Sequence, residues 1–176
     1  MPKQDNYICK IATLEEITDR WDYEASLHPQ NLLYPFAKKE YVEEAAKGNR
    51  ITYVGILNGN IICDATAVIK KEGILNEAGD IKNIVNEKRV FLCGVRTNKE
   101  YENQKYFSRL YHFIEEDLRK KGYEEISLSV DITEKRNIEI YKHLGYTNLI
   151  GTEIREGKNK SYTYNYYYKD IKNVSI

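Results

Sequence analysis

The sequence predicts one mixed α/β (α+β) domain over residues 1–176, built on a largely antiparallel central sheet of about six to seven strands. Three observations carry this expectation. Segments of period-two alternation are interspersed with segments of helical period. Two pairs of strand-like segments flank short turns, Asn58-Gly-Asn60 and Gly157-Lys-Asn159, which is how antiparallel hairpins read. Between Tyr106 and Tyr146 a helix, a buried strand, a second helix and a Gly-aromatic stop follow one another. A chain of 176 residues buries a sizeable core and leaves little room for a second independent domain.

Tyr7 to Ala12 reads as a first strand, and Thr13 with Glu16 forms a capping box for a helix to about Leu27. Pro35 opens another helix, Phe36 to Ala46, which Gly48 ends. Ile51 to Leu57 and Ile61 to Ile69 form the first hairpin. Residues 70–88, with Gly73, Gly79 and Asp80, interrupt the strand pattern, and a short helix is expected from Asp80 to Asn86. Arg89 to Thr97 is the next strand. From Tyr106 to Gly122, Phe107, Leu110, Tyr111, Ile114 and Leu118 share one helical face. Acidic residues at 115–117 and basic ones at 119–121 are expected on its outer face, with the cations near the C-terminus, where the helix dipole favours them. Ile126 to Val130 alternates as a strand. Ile138, Ile140, Tyr141 and Leu144 then mark a helix within Asp131 to Leu144, with Gly145 just past its end. Tyr146 to Glu156 and Lys160 to Lys169 close the chain as the second hairpin.

Val130, Asn137, Ile138, Tyr141, Gly145 and Tyr146 occupy the places of a pattern common in the GNAT acetyltransferases, a Val, then Asn, then Ala-Ile-x-x-Tyr-x-x-x-Gly-Phe. This half of the chain therefore resembles the coenzyme-binding half of that family. The resemblance implies a GNAT-like sheet with helices on both faces and acetyl-CoA as co-substrate in the gap of a splayed parallel strand pair. It places Asn137 near the pantetheine arm and the Tyr141 hydroxyl near the coenzyme sulfur, where it protonates the departing thiolate. It also implies that a backbone amide around Val95, Arg96 and Thr97 holds the thioester carbonyl.

The family's phosphate loop runs Gln or Arg, two residues, Gly, one residue, then Gly or Ala. Here Glu102-Asn-Gln-Lys-Tyr-Phe107 stands in its place, so Lys105 replaces the first small residue and Phe107 the second. By this correspondence Asn103, Gln104, Lys105, Tyr106, Phe107 and Ser108 contact the coenzyme. Amides at a helix N-terminus attract anions, and Lys105 adds positive charge. The other reading makes Phe107 a core residue of a drifted loop and the protein a noncatalytic acyl-CoA-binding or interaction protein. Use of a different acyl-CoA is a third.

Transfer of an acyl group to an amine requires a deprotonated nitrogen, a polarised carbonyl and an acid for the sulfur. A tyrosine hydroxyl, with an ordinary pKa of about 10, stays protonated at neutral pH and suits the acid role. No base stands out, because Val90 to Thr97 contains no carboxylate or histidine. Glu24, His28 and Asp64 are the candidates, beside a water chain. Asp64 lies in an apolar strand and is expected to face outward. Glu24 and His28, a helical turn apart, read equally as acceptor-pocket residues or as a surface pair. His112 and His143 are assigned to surface or packing, and no metal is expected. Trp21, Tyr23, Tyr34 and some of the C-terminal tyrosines suit either the walls of an acceptor pocket or a homodimer contact.

The 27 basic and 27 acidic side chains cancel, so no field of one sign points to nucleic acid or an anionic membrane. Cys9, Cys63 and Cys93 form no close pair, which fits a reducing cytoplasm. No apolar run approaches a membrane span of about 20 residues, and no signal region stands at the N-terminus. The expected acceptor is a small-molecule amine.

Overall fold

The computed structural model describes residues 5–75, 78, 81 and 83–172. Its strands, β1 (Tyr7–Ile11), β2 (Arg50–Leu57), β3 (Asn60–Val68), β4 (Arg89–Thr97), β5 (Glu125–Asp131), β6 (Asn148–Glu156) and β7 (Ser161–Asp170), form one sheet in the order β1-β2-β3-β4-β5-β7-β6. Four α-helices accompany them: α1 (Leu14–Leu27), α2 (Tyr34–Ala46), α3 (Tyr106–Lys120) and α4 (Lys135–His143). The sheet is mixed: antiparallel pairs predominate, and β4 and β5 run parallel. By internal contacts the chain divides into two compact units, residues 1–67 with 94–117, and residues 68–93 with 118–176.

In the first unit β1 pairs with β2 from Tyr7↔Leu57 to Ile11↔Tyr53. Asn58 and Gly59 have φ of 50° and 85°, the two left-handed residues that a type I′ hairpin requires. The capping box forms in full: the Glu16 amide donates to Thr13 Oγ1 at 3.2 Å, and the Thr13 amide donates to Glu16 Oε2 at 2.8 Å. With its amides satisfied, α1 turns Ile17, Arg20 and Trp21 inward. Trp21 packs against α2 through Tyr41, edge-to-face at 4.8 Å between ring centroids, and Tyr34 at 5.8 Å. The apolar face of α3 is buried at Leu110, Tyr111 and Ile114, as its spacing predicts. Its acidic run is not wholly outside: Glu115 is buried, and Asp117 accepts a 2.7 Å hydrogen bond from the hydroxyl of fully buried Tyr53.

In the second unit the parallel ladder joins Arg89–Phe91 of β4 to Glu125–Ser127 of β5, and β7 lies antiparallel on the other side of β5. Ile126, Ser127, Leu128 and Val130 are all buried, so both faces of β5 are covered. A buried hydroxyl then needs partners. Ser127 Oγ has the carbonyls of Ile84 and Val90 at 2.9 and 3.0 Å. The core here gathers Val68, Ile84, Val85, Phe91 and Tyr166. Of the helix expected from Asp80 to Asn86, Asp80 and Lys82 lie outside the described residues, as does the Gly79 that was read as a breaker. Asn83 to Val85 form turn and bend, with Asn83 at φ 63°. The α4 helix begins at Lys135 and not near Asp131, because Asp131 Oδ1 accepts from the amide and the hydroxyl of Thr133 and so holds a turn.

Candidate active site

The last residues of β4 belong to the first unit. Strand β4 is buried from Val90 to Leu92 and half-buried from Cys93 to Thr97. Gly94 has φ 59°, and a Cβ there would stand 2.8 Å from the Tyr41 hydroxyl, so both backbone and space demand glycine. Val95, Arg96 and Thr97 follow this irregularity directly. A short 3-10 turn, Lys99–Tyr101, then leads into the loop before α3.

In that loop Asn103 and Lys105 have φ of 61° and 66°. Lys105 thus takes the left-handed backbone that a glycine would take, although its side chain makes this costly. Asn103, Gln104, Lys105 and Ser108 are exposed, and Tyr106 and Phe107 are half-buried. Phe107 packs against Tyr111 one turn on at 6.2 Å, so it is a partial packing residue and not a fully buried one. Gln104 Nε2 donates to the Glu100 carbonyl at 2.7 Å. The Tyr7 hydroxyl donates to the Tyr106 carbonyl at 2.8 Å and fixes the first residue of α3. First-turn amides of a helix lack intrahelical acceptors. Together with the exposed Lys105 cation, they fit a pyrophosphate group.

Asp64 is neither exposed nor free, contrary to expectation. It is 1% exposed and accepts from Arg96 with both oxygens, Nη2–Oδ2 at 2.6 Å and Nε–Oδ1 at 3.2 Å. Arg20 Nε donates to Oδ1 as well, at 2.7 Å. The correction has a physical cause: β3 is buried on both faces from Ile62 to Val68, and a carboxylate inside such a strand must be paired. Burial tends to lower the Arg96 pKa, and the Asp64 carboxylate outweighs it, so the guanidinium is held above its ordinary value. Arg96 also lies over the Trp21 ring at 4.1 Å. Glu24 pairs with Arg20 Nη2 at 3.2 Å, and His28 stacks on Tyr34 at 5.7 Å, so these two do not form the pair their spacing suggested.

Beside this cluster a cavity of about 450 Å³ is lined by Glu16, Asp19, Tyr23, Asn98, Glu100 and Tyr101, among others. Glu16 is engaged by Lys10 at 2.9 Å. The cavity is of small-molecule size, and its walls mix three carboxylates and two tyrosines with Arg20 and the apolar Ile56, Ile61 and Ile62.

In the second unit Asn137 and Tyr141 sit one turn apart on α4, each half-buried. Asn137 Nδ2 donates to Glu134 Oε2 at 2.5 Å. Tyr141 packs edge-to-face with Tyr146 at 6.1 Å, and the Tyr146 amide donates to its carbonyl at 3.0 Å. Tyr146 is 1% exposed, so it anchors the end of α4. Burial, with a smaller contribution from the Glu134 charge, raises the Tyr141 pKa above its ordinary value. No hydrogen bond engages the Tyr141 hydroxyl among the described residues. His112 and His143 are exposed.

Several tyrosines read as pocket candidates are occupied elsewhere. The Tyr166 hydroxyl donates to Glu153 and accepts from Arg155, both at 2.6 Å. Tyr164 and Tyr168 lie under the guanidinium groups of Arg155 and Arg89 at 4.8 and 4.5 Å. The Arg20–Asp64–Arg96 cluster was not foreseen. Its signal was an acid in a stretch, Ile61 to Ile69, that is otherwise apolar but for Thr66 and so marks two-sided burial.

Comparison with known proteins accords with this arrangement. The sequence matches the acetyltransferase (GNAT) family model over residues 13–146. No curated protein matches it. Among solved structures, an N-acetyltransferase from Staphylococcus aureus Mu50 superposes with a TM-score of 0.67 at 15% identity, covering 95% of this chain and 99% of the other. The yncA protein from Salmonella typhimurium, solved with its cofactor acetyl-CoA, gives 0.66 at 10% identity, covering 97% of each chain. The ribosomal-protein-S18-alanine N-acetyltransferase from Escherichia coli gives 0.66 at 14% identity, covering 96% of each. The family match spans well over half of the chain and takes in β4, the loop before α3, α3, β5 and α4. The chain belongs to the GNAT family of acetyltransferases, whose acyl donor is acetyl-CoA.

Proposed function

We propose that this chain, as a single GNAT domain over residues 1–176, transfers the acetyl group of acetyl-CoA directly to a primary amine of a small molecule. When bound, acetyl-CoA supplies a thioester whose acyl carbon the amine attacks. Asn103 to Ser108 hold the pyrophosphate through loop and helix amides and the Lys105 cation. Val95, Arg96 and Thr97 offer backbone amides to the acyl oxygen, and Asn137 borders the pantetheine arm. The amine attacks as its neutral form; Tyr141 gives its proton to the leaving sulfur, and the proton the nitrogen sheds as the amide forms passes through water and restores the tyrosine.

The observation that carries a working coenzyme site over a degenerate one is the φ of 66° at Lys105. At the place where the family pattern has a small residue, Lys105 takes a backbone that suits glycine, so its side chain does not by itself close the site. The raised pKa of Tyr141 and its unengaged hydroxyl support the acid role. The cavity of about 450 Å³, where Glu16, Asp19 and Glu100 outnumber the one cation Arg20, supports an ammonium-bearing acceptor of small size.

Thiol release from acetyl-CoA, followed across a panel of small amines and short peptides, tests the reading. Tyr141→Phe should lower kcat on the best amine about 100-fold or more with its KM little changed, as expected for loss of a general acid. A Tyr141→Phe protein with unchanged kcat removes the assigned acid. Amine-independent thiol release across the whole panel removes the transferase reading.

A further inference from the structure

Gly94 departs from the regular backbone of β4 with φ 59°, and beyond it the strand runs on to Thr97 as a hydrogen-bonded neighbour of β3. Side chains add a second hold on these residues. Arg96 is gripped by both oxygens of Asp64, and Asn98 is tied to the same carboxylate through Arg20, whose Nη1 donates to Asn98 Oδ1 at 2.5 Å and whose Nε donates to Asp64 Oδ1 at 2.7 Å. The two residues flanking Thr97 therefore converge on one buried acid of β3. The Asn98 amide adds a bond to the Ile62 carbonyl at 2.8 Å, and Trp21 backs the Arg96 guanidinium at 4.1 Å. With Glu24 on Arg20, the cluster holds two cations and two carboxylates and is charge-balanced.

A buried charge cluster of this kind is often no more stabilising than apolar residues of equal volume. What it supplies is direction, since a two-pronged Arg–carboxylate pair fixes both distance and orientation. We propose that Asp64 is a positioning residue for acyl transfer, which, through Arg96 directly and Asn98 by way of Arg20, orients the backbone of Val95, Arg96 and Thr97. This rests on the transferase reading and on the assignment of that backbone to the acyl oxygen. Asp64 touches no substrate; it acts through the strand.

Asp64→Asn keeps the shape but turns an amide NH2 group, a donor, toward guanidinium donors. Asn98→Ala removes the second tie at a half-buried site and leaves the main chain bond to Ile62 in place. Both are assayed well below their unfolding temperatures, so that loss of folded protein does not register as loss of turnover. Asp64→Asn should lower kcat at least about tenfold, since small misplacements of a reacting group are costly, with the amine KM within about twofold of wild type. Asn98→Ala should lower kcat about threefold or more with the same unaltered KM, and carries the test alone if Asp64→Asn does not fold. Wild-type kcat in the folded variants, or a change confined to the unfolding temperature, overturns the proposal. An absence of amine-dependent turnover in the wild type overturns the transferase reading instead, and the proposal with it.

Discussion

Replacing Gly94 by alanine should cost far more than one methyl group suggests. At φ 59° an L-residue pays about 1–2 kcal/mol for the left-handed backbone. The new Cβ would also stand 2.8 Å from the Tyr41 hydroxyl and 3.2 Å from its ring. Tyr41 cannot swing away freely, being 7% exposed and held between Trp21 at 4.8 Å and the Arg50 guanidinium at 4.6 Å. Overpacking of this kind costs about 1–3 kcal/mol, so the sum is about 2–5 kcal/mol. For a chain of this size that lowers Tm by roughly 4–20 °C. Gly59 is the internal control: at φ 85° with nothing within 4 Å of a new Cβ, Gly59→Ala should cost only the backbone share, about 1 kcal/mol. Urea and thermal unfolding followed by circular dichroism measure both. If Gly94→Ala is no more destabilising than Gly59→Ala, the close approach of Tyr41 to β4 is wrong. Tyr41→Phe in the Gly94→Ala background should recover part of the loss.

Lys105→Gly should do two opposed things. Relief of the left-handed lysine should raise stability by about 1 kcal/mol in thermal unfolding, while loss of the cation should weaken acetyl-CoA binding and flatten its salt dependence. Tighter binding with the salt dependence unaltered would show that Lys105 is not a phosphate anchor. The Cys63 thiol is pushed up from its ordinary value near 9 to about 11, chiefly by burial. Its neutral form is the one folding favours, so this contribution is complete below about pH 9 and is lost as pH rises through 11. The loss amounts to roughly 2–3 kcal/mol. The buried Tyr7 hydroxyl, raised in the same direction by burial and by Cys63, acts with it. Cys63→Ala should flatten the fall in Tm between pH 8.5 and 10.5 (about two pH units spanning the window); the same slope in variant and wild type would refute this.

Where physics is local, the sequence was legible. The capping box of Thr13 and Glu16, the Asn58-Gly59 hairpin turn and the span of β4 depend on adjacent residues and were read correctly. Legibility failed where tertiary context decides. Asp64 was expected outside because period two cannot distinguish a half-covered strand from one buried on both sides, although the mostly apolar stretch around it held that information. Glu115 and Asp117 were placed outside by charge alone, yet Glu115 is buried and Asp117 caps the hydroxyl of a buried tyrosine. The left-handed Lys105 left no trace in residue type, since lysine rarely adopts that backbone. Resemblance to the GNAT pattern picked out Asn137 and Tyr141, and helical spacing already put Tyr141 on the helix that forms as α4; the anchoring of its end by Tyr146 came from the structure.

Everything proposed for the site depends on the loop before α3 and the residues of β4 and α4 receiving acetyl-CoA. Calorimetric titration of the purified protein with acetyl-CoA, with free CoA and a longer acyl-CoA titrated in parallel, measures this directly. Saturable binding of one acetyl-CoA per chain in the micromolar range is the predicted result. No heat of binding at any acyl-CoA concentration would contradict it, and would mark Lys105 and Phe107 as the remains of a coenzyme loop in a protein with another task.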